Sequence, residues 1–180
     1  MTDLISRTIT VLRIDGSRWH ALATGLDREL LVRPPAAGEW SALRCLGHAT
    51  DTEAAVFATR IRALLAGQAV LASYDPAAGS TPIGADTDPA ALAERHAALR
   101  AESLALLGTV VEADLDRMAR HADFGPATLR ELLNQWASHD LMHLVQAERA
   151  VMQAFIPDSG PWRHFFADHD VDASLVEAPA

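Results

Sequence analysis

A chain of 180 residues with a formal charge of −9 has room for one well-cored domain, and its basic residues form no run that could grip nucleic-acid phosphates. No apolar stretch approaches the roughly 20 residues needed to span a bilayer, and the opening Met1-Thr2-Asp3-Leu4-Ile5-Ser6-Arg7 lacks the charged-then-apolar layout of a signal peptide. A single cysteine, Cys45, excludes an intrachain disulfide framework and fits a reducing compartment, so the expectation is an acidic, soluble, cytoplasmic protein with no nucleic-acid or membrane partner.

Alanine is abundant and β-branched runs are scarce, which favours helix. Ile5, Ile9, Leu12, Trp19, Leu22, Leu26 and Leu30 recur near helical spacing and predict a first helix over about 2–32. Gly16 weakens its middle and Pro34-Pro35 ends it. A second helix is expected to start at Trp40-Ser41, with Ser41 as N-cap, and to stop at Gly67. Its Leu43, Leu46, Phe57, Ile61 and Leu64 share one face, whereas His48 points away, over Thr52, Ala55 and Thr59. Residues 68–87, rich in Pro, Gly, Ser and Asp, read as a long loop. Asp88 as N-cap and Pro89 at the first position open a third helix over about 88–118. Phe124-Gly125-Pro126 turns the chain into a last helix over about 127–155. After Pro157 follows a tail whose Trp162, Phe165 and Phe166 are expected to be buried on the bundle or at a dimer interface. Four long amphipathic helices imply an all-α four-helix bundle without a sheet over residues 1–157, with a C-terminal extension, 158–180, packed on it.

The last helix carries the chemistry. His139 and His143 lie four apart on the stripe formed by Leu129, Leu132, Trp136, Ala147, Ala150 and Ala154. At that spacing Cβ atoms are roughly 5–6 Å apart, and two imidazoles can chelate one metal ion. The competing reading is a pair of core histidines, each satisfied by a hydrogen bond; a third ligand decides between them. His20, His48, His96, His121, His164, His169 and the carboxylates are the choices, and His48 stands out, mid-helix among small residues. His139-Asp140-x-x-His143 also resembles the zincin His-Glu-x-x-His, but Asp is a methylene shorter and no downstream Gly-x-x-His supplies the third ligand. Asp140 is therefore expected to orient a ligand or cap nearby structure. Cys45 has no base partner in sight and reads as a small buried hydrophobe. Glu53 is a carboxylate available for acid–base work, although its helical angle places it well away from His48.

The stretch from Glu39-Trp40-Ser41 through His48, eight residues after the Trp, to Glu53 resembles the second-helix motif of the DinB-like family. Thr128-Leu129-Arg130-Glu131-Leu132-Leu133, continuing to His139, His143 and Gln146, resembles the family's last-helix motif. The resemblance covers roughly residues 1–157 and implies an up-down-down-up bundle. It implies that His48, His139 and His143 bind a divalent metal, zinc or nickel, at one end of a pocket. Many members are dimers; some are S-transferases or isomerases that use a low-molecular-weight thiol (bacillithiol, mycothiol or glutathione), and others are described as metal-dependent hydrolases. Three histidines leave a coordination position open, which suits activation of either water or a thiol. The functional expectation is thus a homodimeric metal-dependent enzyme for a small-molecule substrate. The alternative is a metal- or ligand-binding bundle without turnover.

Overall fold

The computed structural model describes residues 3–75, 80–84 and 86–171. Asp3 begins the first helix by accepting a hydrogen bond from the Ser6 amide at 2.8 Å, and α1 runs Leu4–Gly25, passing through Gly16. It does not reach residue 32 as the periodicity predicts. Leu26 is extended, and the chain restarts as the short α2, Arg28–Val32. Gly25 and Asp27 are poor interior helix residues, which the continuing leucine spacing masks. Ser41 caps α3, Ala42–Thr52, with its hydroxyl accepting from the Arg44 amide. A widened π-helical turn, Glu53–Phe57, then joins α3 to α4, Ala58–Leu65.

Asp88 accepts from the Ala90 amide and Pro89 occupies the first turn of α5, Pro89–Leu107. This helix ends well before residue 118, because Gly108 interrupts it and Thr109-Val110-Val111 favours extended backbone. The apolar residues beyond the break belong to other elements. A small sheet corrects the expectation of none: β1 (Val70–Leu71) pairs in parallel with β2 (Met118–His121), which pairs antiparallel with β3 (Gly125–Thr128). Gly125, with φ +83°, supplies the left-handed residue the hairpin requires. Thr128 and Glu131 form a reciprocal capping box that launches α6, Leu129–Met152.

The bundle comprises α1, the α3–α4 rod, α5 and α6. Both α1 and α3 pack against α5 and α6, which puts α1 diagonal to α3. The long connection between α4 and α5 is the crossover that an up-down-down-up order requires. Trp136 and Phe57 stack in the core with ring centroids 4.9 Å apart, joined by Leu12, Ile61 and Leu133. A second cluster gathers Trp19, Leu43, Leu46 and Leu144.

Residues 80–84 cross the outer face of α3. Asp51 accepts from both the amide and hydroxyl of Thr81, at 2.7 and 2.6 Å, and Ile83 lies so close to Gly47 that a Cβ there would sit 2.8 Å from it. With this cover on one side and the bundle core on the other, every residue of α3 except Arg44 is buried. The tail docks through polar contacts: Arg149 and Gln153 both donate to the His169 carbonyl, and Arg163 pairs with Asp170. Trp162 and Phe165 are 63% and 70% exposed, so they do not pack on the bundle as expected. The last nine positions of the extension, 172–180, lie outside the described residues. Among the described residues, no helix is long and apolar enough to cross a membrane.

Candidate metal centre

Three histidines meet where α3 crosses α6. One ligand atom from each of His48, His139 and His143 falls within 4.8 Å of the other two. The Nε2 atoms of His48 and His139 are 3.3 Å apart. Ligands 2.0–2.1 Å from a tetrahedral ion are separated by roughly 3.3–3.4 Å, so this spacing fits a shared divalent cation. His143 uses Nδ1 to donate to the Gln146 side-chain oxygen at 3.0 Å, which leaves the Nε2 lone pair free. Nδ1 of His48 and of His139 are buried without a partner among the described residues.

Burial keeps all three rings neutral. It lowers His48 to about 4, with the neighbouring His143 adding to the effect, and lowers His139 to about 3, with His143 and His48 adding. His143 is lowered as well, again chiefly by burial. Neutral imidazoles are what a metal requires of its ligands. Trp40 walls the site, stacked on His143 at 5.7 Å and tilted over His48 at 5.0 Å, while Phe57 lies edge-on to His139.

The sequence profile of the DinB superfamily matches residues 12–147. The chain belongs to the DinB superfamily. Its structure is similar to that of YfiT from Bacillus subtilis, a protein described as a probable metal-dependent hydrolase with an unusual four-helix bundle topology. That similarity has a TM-score of 0.72 and covers 83% of this chain and 87% of the other, at 21% identity. A comparison with curated proteins gave no match.

Other residues singled out in the sequence go elsewhere in this DinB-superfamily chain. Asp140 makes no side-chain hydrogen bond to a histidine among the described residues; it is buried and accepts from Arg100 Nη2 at 3.0 and 2.9 Å. Glu53 grips the same guanidinium, with Nε and Nη2 each 3.0 Å away, so neither carboxylate is posed as a base. Arg100 also donates to the Leu12 carbonyl at 2.7 Å, and the fully buried His96 lies beside it. His121 closes a cavity next to His139, while His164 bonds the Pro161 carbonyl in the tail. Cys45 is fully buried and its thiol is pushed up to about 12, as its small apolar role demands.

Sequence reasoning gave no role to Arg60 or Tyr74 on the rim of the site and weighed His121 there only as a candidate third ligand. Arg60 lies less than one turn beyond the π-helical bulge, where plain helical angles no longer hold, and the other two come from segments that only the sheet brings close. Two cavities border the centre. One, about 270 Å³, runs between His48 and the 80–84 segment and is lined by Trp40, Arg44 and Asp51. The other, about 200 Å³, runs past His48 and His139 toward Arg60 and Tyr74.

Proposed function

We propose that this chain is a metal-dependent enzyme, of the hydrolase or thiol S-transferase type, that holds zinc or nickel between His48, His139 and His143 and acts on a small molecule. The observation that carries the reading is the convergence of three neutral imidazoles at a spacing suited to one ion, with cavities on two sides. A divalent ion held by uncharged ligands keeps its full charge and supplies the acidity that ionises water or a thiol near neutral pH. Gln146 fixes the tautomer of His143, and Trp40 shields the imidazoles from bulk water. Cys45 is too deeply buried to serve as nucleophile, so a thiol reaction draws its sulfur from a small-molecule cofactor. The likeness to YfiT supports hydrolysis, and the family resemblance supports thiol transfer. Arg44 and Arg60 on the two cavities favour a site that orients substrates over one that only stores metal. The homodimer that the resemblance implies belongs to the same reading, and sedimentation analysis tests it.

Metal analysis of tag-free protein purified without chelator is expected to find close to one ion per chain. A His48→Ala/His139→Ala/His143→Ala variant that retains as much metal as the parent overturns the site. Zinc, nickel, manganese and iron forms are then assayed on electrophiles with glutathione, bacillithiol or mycothiol, and on a hydrolase panel without thiol. Turnover that needs thiol and disappears in His143→Ala assigns the transferase; turnover without thiol assigns the hydrolase. Silence in every form leaves a metal-holding bundle without turnover.

A further inference from the structure

Arg60 is a half-buried cation that makes no salt bridge among the described residues. Its Nη2 donates to the Ala72 carbonyl at 3.1 Å and lies 2.8 Å from Nε2 of His121. Nε and Nη1 have no protein acceptor among the described residues. Desolvation of a guanidinium is costly, and in protein interiors it is ordinarily offset by a carboxylate. The acid whose field reaches Arg60 is Asp123, but Asp123 is 58% exposed and is hydrogen-bonded by Ser73 instead.

The same cavity holds a second unmet group. Tyr74 Oη is buried and has no hydrogen-bond partner among the described residues. Burial, the largest cause, pushes its phenol above the ordinary range, so it remains a donor. Arg60 and Tyr74 thus present N–H and O–H donors, which no carboxylate among the described residues bonds, to a space of about 200 Å³ that also borders His48 and His139 and is lined by Asp123 and Gln135 as well. Val56 and Phe57 give it apolar walls, and Phe124, 85% exposed, stands at its mouth against His121.

We propose that Arg60 and Tyr74 form the subsite that recognises a carboxylate on the substrate, seating its apolar body between Phe57 and Phe124 with the reacting group toward His48 and His139. This rests on the reading of the three histidines as the reaction centre. The charge count favours a carboxylate over a phosphate. Among the described residues the cavity has one guanidinium and no second cation, and Asp123 in its lining adds a negative charge, so a phosphate dianion would meet more repulsion than a single carboxylate.

Benzoate, its neutral counterpart benzamide and phenyl phosphate are the probes, titrated by calorimetry or NMR into chelator-treated protein and again into zinc-loaded protein. Chelator-treated parent is expected to bind benzoate more tightly than benzamide or phenyl phosphate. Arg60→Met should weaken benzoate by about tenfold or more, and Tyr74→Phe by a smaller factor, with benzamide unchanged. Arg60→Lys should restore part of the preference, which a purely structural role for Arg60 would not do. Equal binding of benzoate and benzamide by the parent, or undiminished benzoate binding in Arg60→Met, overturns the subsite. So does a preference that appears only with zinc, since the carboxylate would then sit on the ion. A preference for phenyl phosphate overturns the choice of carboxylate. Persistence of the Arg60-dependent preference in protein that never takes up metal upholds the subsite while removing the metal reading.

Discussion

Burial, and after it the neighbouring His143, holds His48 and His139 far below the ordinary 6.5 by disfavouring a positive ring. The unfolded chain takes up protons as pH falls through 6.5, but the native state resists until about 4 and about 3. These groups therefore stabilise the fold fully above pH 6.5, and the contribution is lost progressively as pH falls toward 3. The melting temperature of metal-free protein should drop across that window, and His139→Leu should flatten the drop. Asp15 works in the opposite sense. Its carboxyl is 1% exposed, and burial, reinforced by the charge of Asp140, lifts it from 3.8 to about 6. The native state then holds the extra proton, so stability falls as pH rises from 3.8 to about 6 and stays reduced above. Asp15→Asn should stabilise the protein at pH 8 by on the order of 1–2 kcal/mol, the charge penalty of about 3 kcal/mol being offset in part by burial of the amide. Below pH 4 the gain should vanish, as denaturant titrations at the two pH values will show.

Between elements, one guanidinium does most of the joining. From the middle of α5, Arg100 bonds the Leu12 carbonyl on α1, Glu53 in the π-helical turn and Asp140 on α6. All three side chains are nearly solvent-free, so each charge depends on the others for the solvation that water no longer supplies. Arg100→Met would leave two carboxylates buried without a cation, and the expected cost is about 3–5 kcal/mol in urea unfolding. Adding Glu53→Gln and Asp140→Asn should recover much of that loss, because the stranded charges disappear with the cation. Asp140 lies between His139 and His143, and Glu53 begins the turn that follows α3, so this cluster also fixes how the two histidine-bearing helices meet.

For the molecule as a whole, His48 comes from a part of the chain distant from the His139–His143 pair, and the three converge only in the native state. Any ion they bind must therefore stabilise folding by mass action. At a free zinc concentration a hundredfold above the dissociation constant the gain is about 2.7 kcal/mol, and the melting temperature should rise accordingly. The triple alanine variant should show no such rise. The effect should fade as acidification protonates the rings, which couples metal uptake to the pH window set by His48 and His139.

The caps at Ser41 and Asp88-Pro89 are local hydrogen-bond patterns and were legible in sequence because capping needs only neighbouring residues. The equally local capping box at Thr128 was not read, and the last helix was started at about 127. The i, i+4 pairing of His139 and His143 was legible because it too depends only on neighbouring residues, and the burial of Cys45 followed from its small apolar side chain. The breaks at Leu26 and Gly108 were less legible, since leucine and valine spacing continues across them as if the helices did. His48 shows most clearly where local periodicity ends. Helical angle put it away from the main apolar face, but its ring meets His139 and His143 of α6, and the 80–84 segment, tied down through Asp51 and Gly47, covers the neighbouring strip of α3. Likewise, nothing near Asp140 announced that Arg100, 40 positions away, would claim it, or that a two-residue strand pairing with β2 would bring Arg60, Tyr74 and His121 to one cavity. The sequence by itself determined which residues could form helices and which could bind metal, because propensity, capping and donor chemistry reside in the residues. Only the tertiary structure decided which of them meet, because burial and pairing of distant charges depend on the path of the whole chain.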